Sequence, residues 1–170
     1  MSRIETPRLI LRNFTPEDAD AAFVWLSDPR VNEFMPYPLY TKVEDAKAWC
    51  QYVSEDKDEI YERAILVKET KEVIGGARIR WVEERKSWTF GYNIAFAHWF
   101  HGYATETALA LMDFARKEKA AHVFEASAAV ENQMSIRVIK KCGLSFFQEE
   151  EYSKFDGSRT FKANIYRREE

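Results

Sequence analysis

Cysteine is scarce in this chain: two residues in 170, Cys50 and Cys142, far apart in two helical patterns. Neither has a short-spaced partner, so a disulfide framework and a Cys-based metal site are excluded, and reduced thiols in a cytoplasmic protein are expected. Long apolar runs are missing as well. None approaches the roughly 20 residues needed to span a bilayer. The opening Met1-Ser2-Arg3-Ile4-Glu5-Thr6-Pro7 has no apolar signal segment, so export is not expected. A basic excess is also lacking: the net charge is −3, and a nucleic-acid footprint needs surplus Lys and Arg on one face. His98 and His101 share a turn with no third ligand at helical or hairpin spacing, so no metal is expected. There are no internal repeats and no low-complexity linkers. What remains is a chain that is 46% hydrophobic, enough for one core, and residues 1–170 are read as one domain.

Hydrophobic periodicity then gives the elements. Arg8 to Phe14 reads as a strand, with Leu9 and Leu11 on one face and Ile10 on the other. Thr15-Pro16-Glu17-Asp18 starts a helix, with a Thr cap, Pro at the first position and acids in the first turn. Ser27-Asp28-Pro29 ends it. A short helix from Arg30 to Met35 and a longer one from Val43 to about Ser54 follow. Ala64–Val67, Val73–Val82 and Ser87–Ala95 read as a three-strand meander, the last with Trp88, Phe90, Tyr92 and Ile94 on one face. Tyr103–Lys119 is a helix whose buried stripe is Ala104, Ala108, Leu111, Met112 and Ala115. His122–Ala129 is a strand. Asn132 caps a helix with Met134, Val138 and Cys142 on its buried side, and Gly143 ends it. Leu144–Tyr152 and Thr160–Tyr166 close the chain as a hairpin through Asp156-Gly157.

The chemistry concentrates where the third meander strand runs into the long helix. In His101-Gly102-Tyr103-Ala104-Thr105 two positions are small, and helix N–H groups stand free at a macrodipole's positive end. That is the layout of an anion site.

Three motifs in order carry a resemblance over nearly the whole chain. They are Glu5-Thr6-Pro7-Arg8-Leu9-Ile10-Leu11-Arg12 with Thr15-Pro16-Glu17-Asp18; Gly91-Tyr92 with Trp99-x-x-Gly102-Tyr103-Ala104-Thr105-Glu106; and Asn132-x-x-Ser135 with Lys141-Cys142-Gly143-Leu144. The chain resembles the GNAT superfamily of N-acetyltransferases, most closely the branch typified by ribosomal-protein alanine N-acetyltransferases (RimJ/RimL type). The resemblance implies an α+β fold: a mostly antiparallel, splayed sheet of about six to seven strands flanked by helices. It implies acetyl-CoA as cosubstrate, no metal, and direct attack by an amine acceptor in a ternary complex. That acceptor is a protein N-terminus or, alternatively, a small amine such as a polyamine, aminoglycoside or amino acid. A non-catalytic CoA-binding module is a further alternative, and assembly as a homodimer stays open.

The resemblance also assigns roles. The diphosphate falls to the backbone of His101, Gly102, Tyr103, Ala104 and Thr105. A bulge around Asn93-Ile94-Ala95 would splay the strand, and the backbone at Ile94, Ala95 and Phe96 would receive pantetheine and polarise the thioester oxygen. Asn132, Arg137 and Lys141 would complete the cofactor site. Ser135 would protonate the departing thiolate, because the position where other branches carry a Tyr is Ile139 here. Glu125, mid-strand between Phe124 and Ala126, is the first choice for the base; the alternative is a structural pair with Arg78 or Arg80. Members often carry an acid just before Gly-Tyr, but here the residues are Trp88-Thr89-Phe90. Phe34 to Tyr40 would lie over the acceptor.

Overall fold

Leu9, Ile10 and Leu11 are all buried, although side chains alternate along a strand. A strand buried on both faces must sit in a sheet covered on both sides, and that is the architecture. The computed structural model describes residues 3–170; Met1 and Ser2, which head the opening read above, lie outside it. Leu9 and Leu11 join one hydrophobic cluster with Ile79, Phe90, Leu111 and Met112. Ile10 joins another with Phe14, Trp25, Ala46 and Cys50 on the opposite face.

The elements are β1 (Ile4–Glu5), β2 (Leu9–Arg12), α1 (Ala19–Leu26), α2 (Pro29–Asn32), α3 (Val43–Tyr52), β3 (Ile60–Val67), β4 (Val73–Val82), β5 (Ser87–Ile94), α4 (Tyr103–Lys119), β6 (Val123–Ala129), α5 (Gln133–Lys141), β7 (Ser145–Ser153) and β8 (Thr160–Glu169). They build one eight-stranded sheet in the order β1-β2-β3-β4-β5-β6-β8-β7. β5 and β6 are parallel, because α4 carries the chain back between them. Every other neighbouring pair is antiparallel. The expected fold class holds, with one more strand than the sequence suggested: β1, two residues long, is too short to show a period. α4 and β4 have the bounds read from the sequence, while β3 starts at Ile60 rather than Ala64. No helix among the described residues is long and apolar enough to cross a membrane.

One expected feature is different. β5 was to bulge near Asn93-Ile94-Ala95, yet it pairs with β4 in unbroken register from Ser87 to Ile94. Gly75 keeps the two strands close: a Cβ there would lie 2.1 Å from the Asn93 carbonyl oxygen. The splay lies on the other side of β5. β5 and β6 pair only at Trp88–Phe124 and Thr89–Glu125 and then part, which opens a cleft through the sheet.

Candidate active site

α4 begins in a left-handed turn. Phe100 (φ 62°) and Gly102 (φ 78°) both lie in the left-handed region, which costs a non-glycine residue about 1–3 kcal/mol and glycine nothing. No side chain caps the helix, so the first-turn amides of Tyr103, Ala104 and Thr105 stay open to an anion. His101 stacks on Tyr103 with ring centroids 5.5 Å apart.

Glu106 ties this turn to the start of the chain. Its carboxylate accepts from the Thr6 hydroxyl at 2.6 Å, the Arg8 amide at 2.9 Å and the Arg8 guanidinium at 2.7 Å. Arg8 also donates to the His101 carbonyl at 2.7 Å and lies over the Tyr103 ring. Burial works to raise the Glu106 pKa, but the Thr6 and Arg8 hydrogen bonds outweigh it and hold the carboxyl below its ordinary range. The opening motif and the turn motif are therefore one unit in space.

The end of β5 faces the cleft. The Ala95 amide donates to the Ile74 carbonyl at 2.8 Å, so it is spent on β4 and cannot serve a ligand, contrary to expectation. Backbone groups alternate along a strand, which turns Ile94 toward the cleft. There its carbonyl accepts from the Trp99 indole at 2.7 Å, leaving its N–H as the group to offer. The ring of Phe96, also expected here, is 39% exposed and carries the Arg30 guanidinium carbon 3.6 Å from its centroid. Neither Ala95 nor Phe96 lines either of the two main cavities.

α5 supplies the other wall. The Asn132 side chain caps it by accepting from the Ser135 amide at 3.2 Å. The buried residues of α5 are Ile136 and Ile139, continued by Cys142; Met134, expected inside, is 41% exposed. The helix carries two apolar stripes, one for the core and one for the cleft. Met134, Ser135, Val138, Arg137 and Lys141 thus line the same cavity as Ile94, Asn132 and His101 to Thr105. Its volume is about 440 Å³.

A second cavity, about 480 Å³, has Trp49 of α3 in its wall. Phe34, Met35, Tyr92, Asn93, Asn132 and Ser135 line both cavities, so the two meet at Ser135. The Tyr92 hydroxyl lies 3.4 Å from the Ser135 hydroxyl. Burial pushes the Tyr92 pKa up to about 12, although the Ser135 hydrogen bond pulls the other way. Of the expected lid, Phe34 to Tyr37 line the second cavity. Hydrogen bonds clamp that segment to the β7–β8 hairpin: Tyr152 hydroxyl to Phe34 carbonyl at 2.7 Å, Phe155 amide to Pro36 carbonyl at 2.8 Å, and Lys154 to Asn32 and Met35. Glu62, Arg78 and Glu150 are the charged groups of this cavity.

Glu125 is not brought to either cavity. Fully buried, it is held by Arg85 at 2.5 Å and Arg167 at 3.0 Å, not by Arg78 or Arg80. The register explains the change of partner: β6 sits between β5 and β8, so Glu125 faces Thr89 and Arg167, while Arg78 and Arg80 stand one strand further away on β4. The carboxylate is consumed in a structural pair. Among the described residues no group of three or more His, Cys, Asp or Glu comes together to hold a metal ion. His98 instead pairs with Glu72 at 3.1 Å. Cys50 and Cys142 are buried free thiols with pKa values pushed up by burial to about 12 and about 11.

Two residues of the site escaped the sequence reading. Tyr92 stands in the Gly91-Tyr92 motif and on the apolar face of its strand but carries no expected chemical role, and Glu62 lies before the expected start of β3. The alternation Glu62, Ala64, Leu66 was the available signal for the second.

Residues 8–145 match the profile of a family described as Acetyltransferase (GNAT) domain. A protein from Bacillus licheniformis named Uncharacterized N-acetyltransferase p20 is 31% identical over 163 residues, which cover 92% of this chain and 90% of that one. A GNAT-family acetyltransferase from Bacillus anthracis has the same fold, with a TM-score of 0.86 at 20% identity over 99% of this chain and 98% of the other. RimL, a ribosomal L7/L12 alpha-N-protein acetyltransferase solved in complex with coenzyme A, gives a TM-score of 0.83 at 17% identity over 99% of this chain and 98% of its own.

Proposed function

The chain belongs to the GNAT acetyltransferase family and is an N-acetyltransferase of that type, and from this premise we propose that it transfers acetyl from acetyl-CoA directly to a primary amine, with a protein N-terminus as the first acceptor class. The observation that carries the reading is a cavity with open helix amides at one end and the Ser135–Tyr92 pair at the other. The cosubstrate fits that cavity chemically. The first-turn amides of α4 and the cations Arg137 and Lys141 suit its phosphates, and the Ile94 N–H suits its pantetheine and thioester oxygen. Bound there, acetyl-CoA supplies the activated acyl group. Ser135 then donates toward the departing sulfur, with Tyr92 as a second hydroxyl behind it.

Direct transfer is favoured because neither buried, protonated thiol lines either of the two cavities. The N-terminal acceptor is favoured by the motifs shared with ribosomal-protein acetyltransferases. A second reading, a small amine, is favoured by the clamped Phe34–Tyr37 segment, which closes one side of the acceptor cavity.

The test is CoA release with a panel of amines and N-terminal peptides, alongside calorimetry of acetyl-CoA binding. Ala104→Leu puts a branched side chain where the amides must meet phosphate, and affinity is expected to fall about a hundredfold or more. Unchanged affinity would refute the diphosphate assignment. Binding without CoA release by any amine would leave a CoA-binding module instead.

A further inference from the structure

With Glu125 consumed by two arginines, the acceptor cavity holds two other carboxylates, Glu150 and Glu62. Glu150 accepts a hydrogen bond from the Ser127 hydroxyl across β6 and β7. The Glu62 carboxylate, on β3, pairs with the Arg78 guanidinium at 3.4 Å, from the facing position of β4. Its side chain is 19% exposed. Beside Arg78 in the ladder stands Gly91, where a Cβ would meet nothing within 4 Å, so the sheet face next to the pair is open. A carboxylate that is largely desolvated, held by one long ion pair and open to a cavity is placed to receive a cation.

We propose that Glu62 takes the proton from the incoming ammonium, and that the acceptor is a singly charged primary amine. This rests on the acetyl-transfer reading above. An amine enters at neutral pH as R–NH3⁺ and cannot attack. One N–H bond breaks, and that proton goes to the Glu62 carboxylate. The freed lone pair forms the C–N bond at the thioester carbonyl carbon, and the C–S bond breaks with its electrons on sulfur. Sulfur takes a proton from the Ser135 side, and the second proton lost by nitrogen restores that donor. Glu62 returns its proton to solvent.

The surroundings fit the task. Burial raises the Glu62 pKa, and Arg78 from β4 and Arg63 from its own strand offset this only in part, so the group titrates above the ordinary carboxylate range. Glu150 and the hydroxyls of Tyr37, Tyr92 and Tyr152 are the other titratable groups of the cavity. Arg78 also limits the ligand. One ammonium can sit between Glu62 and the aromatic walls, while a second positive charge close to Glu62 meets the guanidinium, and Glu150, the other carboxylate, is already engaged by the Ser127 hydroxyl.

The experiment compares wild type, Glu62→Gln and Glu62→Asp using 2-phenylethylamine, an alanine-initiated peptide amide with no other charge, and spermidine. CoA release is followed across pH, and acetyl-CoA binding is followed by calorimetry. For wild type, kcat/KM should rise with pH through the Glu62 titration and favour either monoamine over spermidine. Glu62→Gln should lower kcat/KM about a hundredfold, lose that acid limb and keep the wild-type acetyl-CoA affinity, and Glu62→Asp should recover part of the rate. A glutamine variant with the wild-type rate and acid limb would overturn the proton role and leave acetyl transfer standing. Preference for spermidine would overturn the acceptor class. A wild type inert with every amine would defeat both readings.

Discussion

The Ser135 hydroxyl is a poor acid by itself, and the structure offers a reason that it need not act alone. The Tyr92 hydroxyl, 3.4 Å away, comes from the strand opposite. Its pKa of about 12 keeps it protonated across the working range, so it can hand a proton forward and orient Ser135. Ser135→Ala should therefore lower kcat about tenfold to a hundredfold with little change in acetyl-CoA affinity. Tyr92→Phe should give a smaller loss in the same parameter, and the double variant should fall short of the product of the two, as coupled sites do. Full multiplicativity in steady-state kinetics would show that the hydroxyls act independently. The pair also accounts for Ile139: with a phenol delivered from β5, the α5 position that other branches give to Tyr is free to enter the core.

At the scale of elements, the anion turn depends on a segment about a hundred residues away. Glu106 in the first turn of α4 receives Thr6 and Arg8, and Arg8 holds the His101 carbonyl. Removing that carboxylate should loosen both α4 and the β1–β2 connection. Glu106→Ala is expected to cost about 2 kcal/mol, as for a partly buried charge that accepts several hydrogen bonds, and to weaken acetyl-CoA binding although it need not touch the ligand. The pH dependence has a definite sign. A carboxyl whose folded pKa is depressed adds stability above its unfolded pKa, and that stability is lost as pH falls through the folded value. Wild type should thus lose stability on acidification over a range where Glu106→Gln is flatter, as denaturant melts at several pH values would show. Identical acid profiles would remove Glu106 from the account. Much at this scale was legible in the sequence. The α4 bounds followed from periodicity, and the Asn132 cap from its side-chain chemistry. The phase of α5 was not, because Met134/Val138 and Ile136/Ile139 are both apolar stripes. A period cannot tell which stripe meets a core and which meets a cleft.

For the whole molecule, the decisive fact is that a sheet covered on both faces opens between β5 and β6, so that cavities from opposite sides meet at Ser135. The motifs point to the half proposed for the cofactor because it is built from contiguous backbone. The half proposed for the acceptor assembles β3, β4, the Phe34–Tyr37 segment and the β7–β8 hairpin, and nothing local marks Glu62 and Tyr152 as walls of one cavity. Glu125 misled for the same reason: its burial was readable, but its partners depend on strand order. Lys154 tests whether the acceptor half works as a unit. Its ammonium donates to the Asn32 carbonyl at 3.0 Å, the Asn32 side chain at 3.1 Å and the Met35 carbonyl at 2.8 Å. These charged ties join the hairpin to Asn32 at the end of α2 and to Met35, and burial lowers the pKa of the group. Lys154→Met keeps the length and removes every donor, so the Phe34–Tyr37 wall should move relative to Tyr152. Acceptor KM is then expected to rise about tenfold, with acetyl-CoA affinity changed much less because the α4 amides are untouched. Steady-state kinetics in both substrates separates the two effects. Equal losses for both would mean that the clamp shapes the entire cleft rather than its acceptor side.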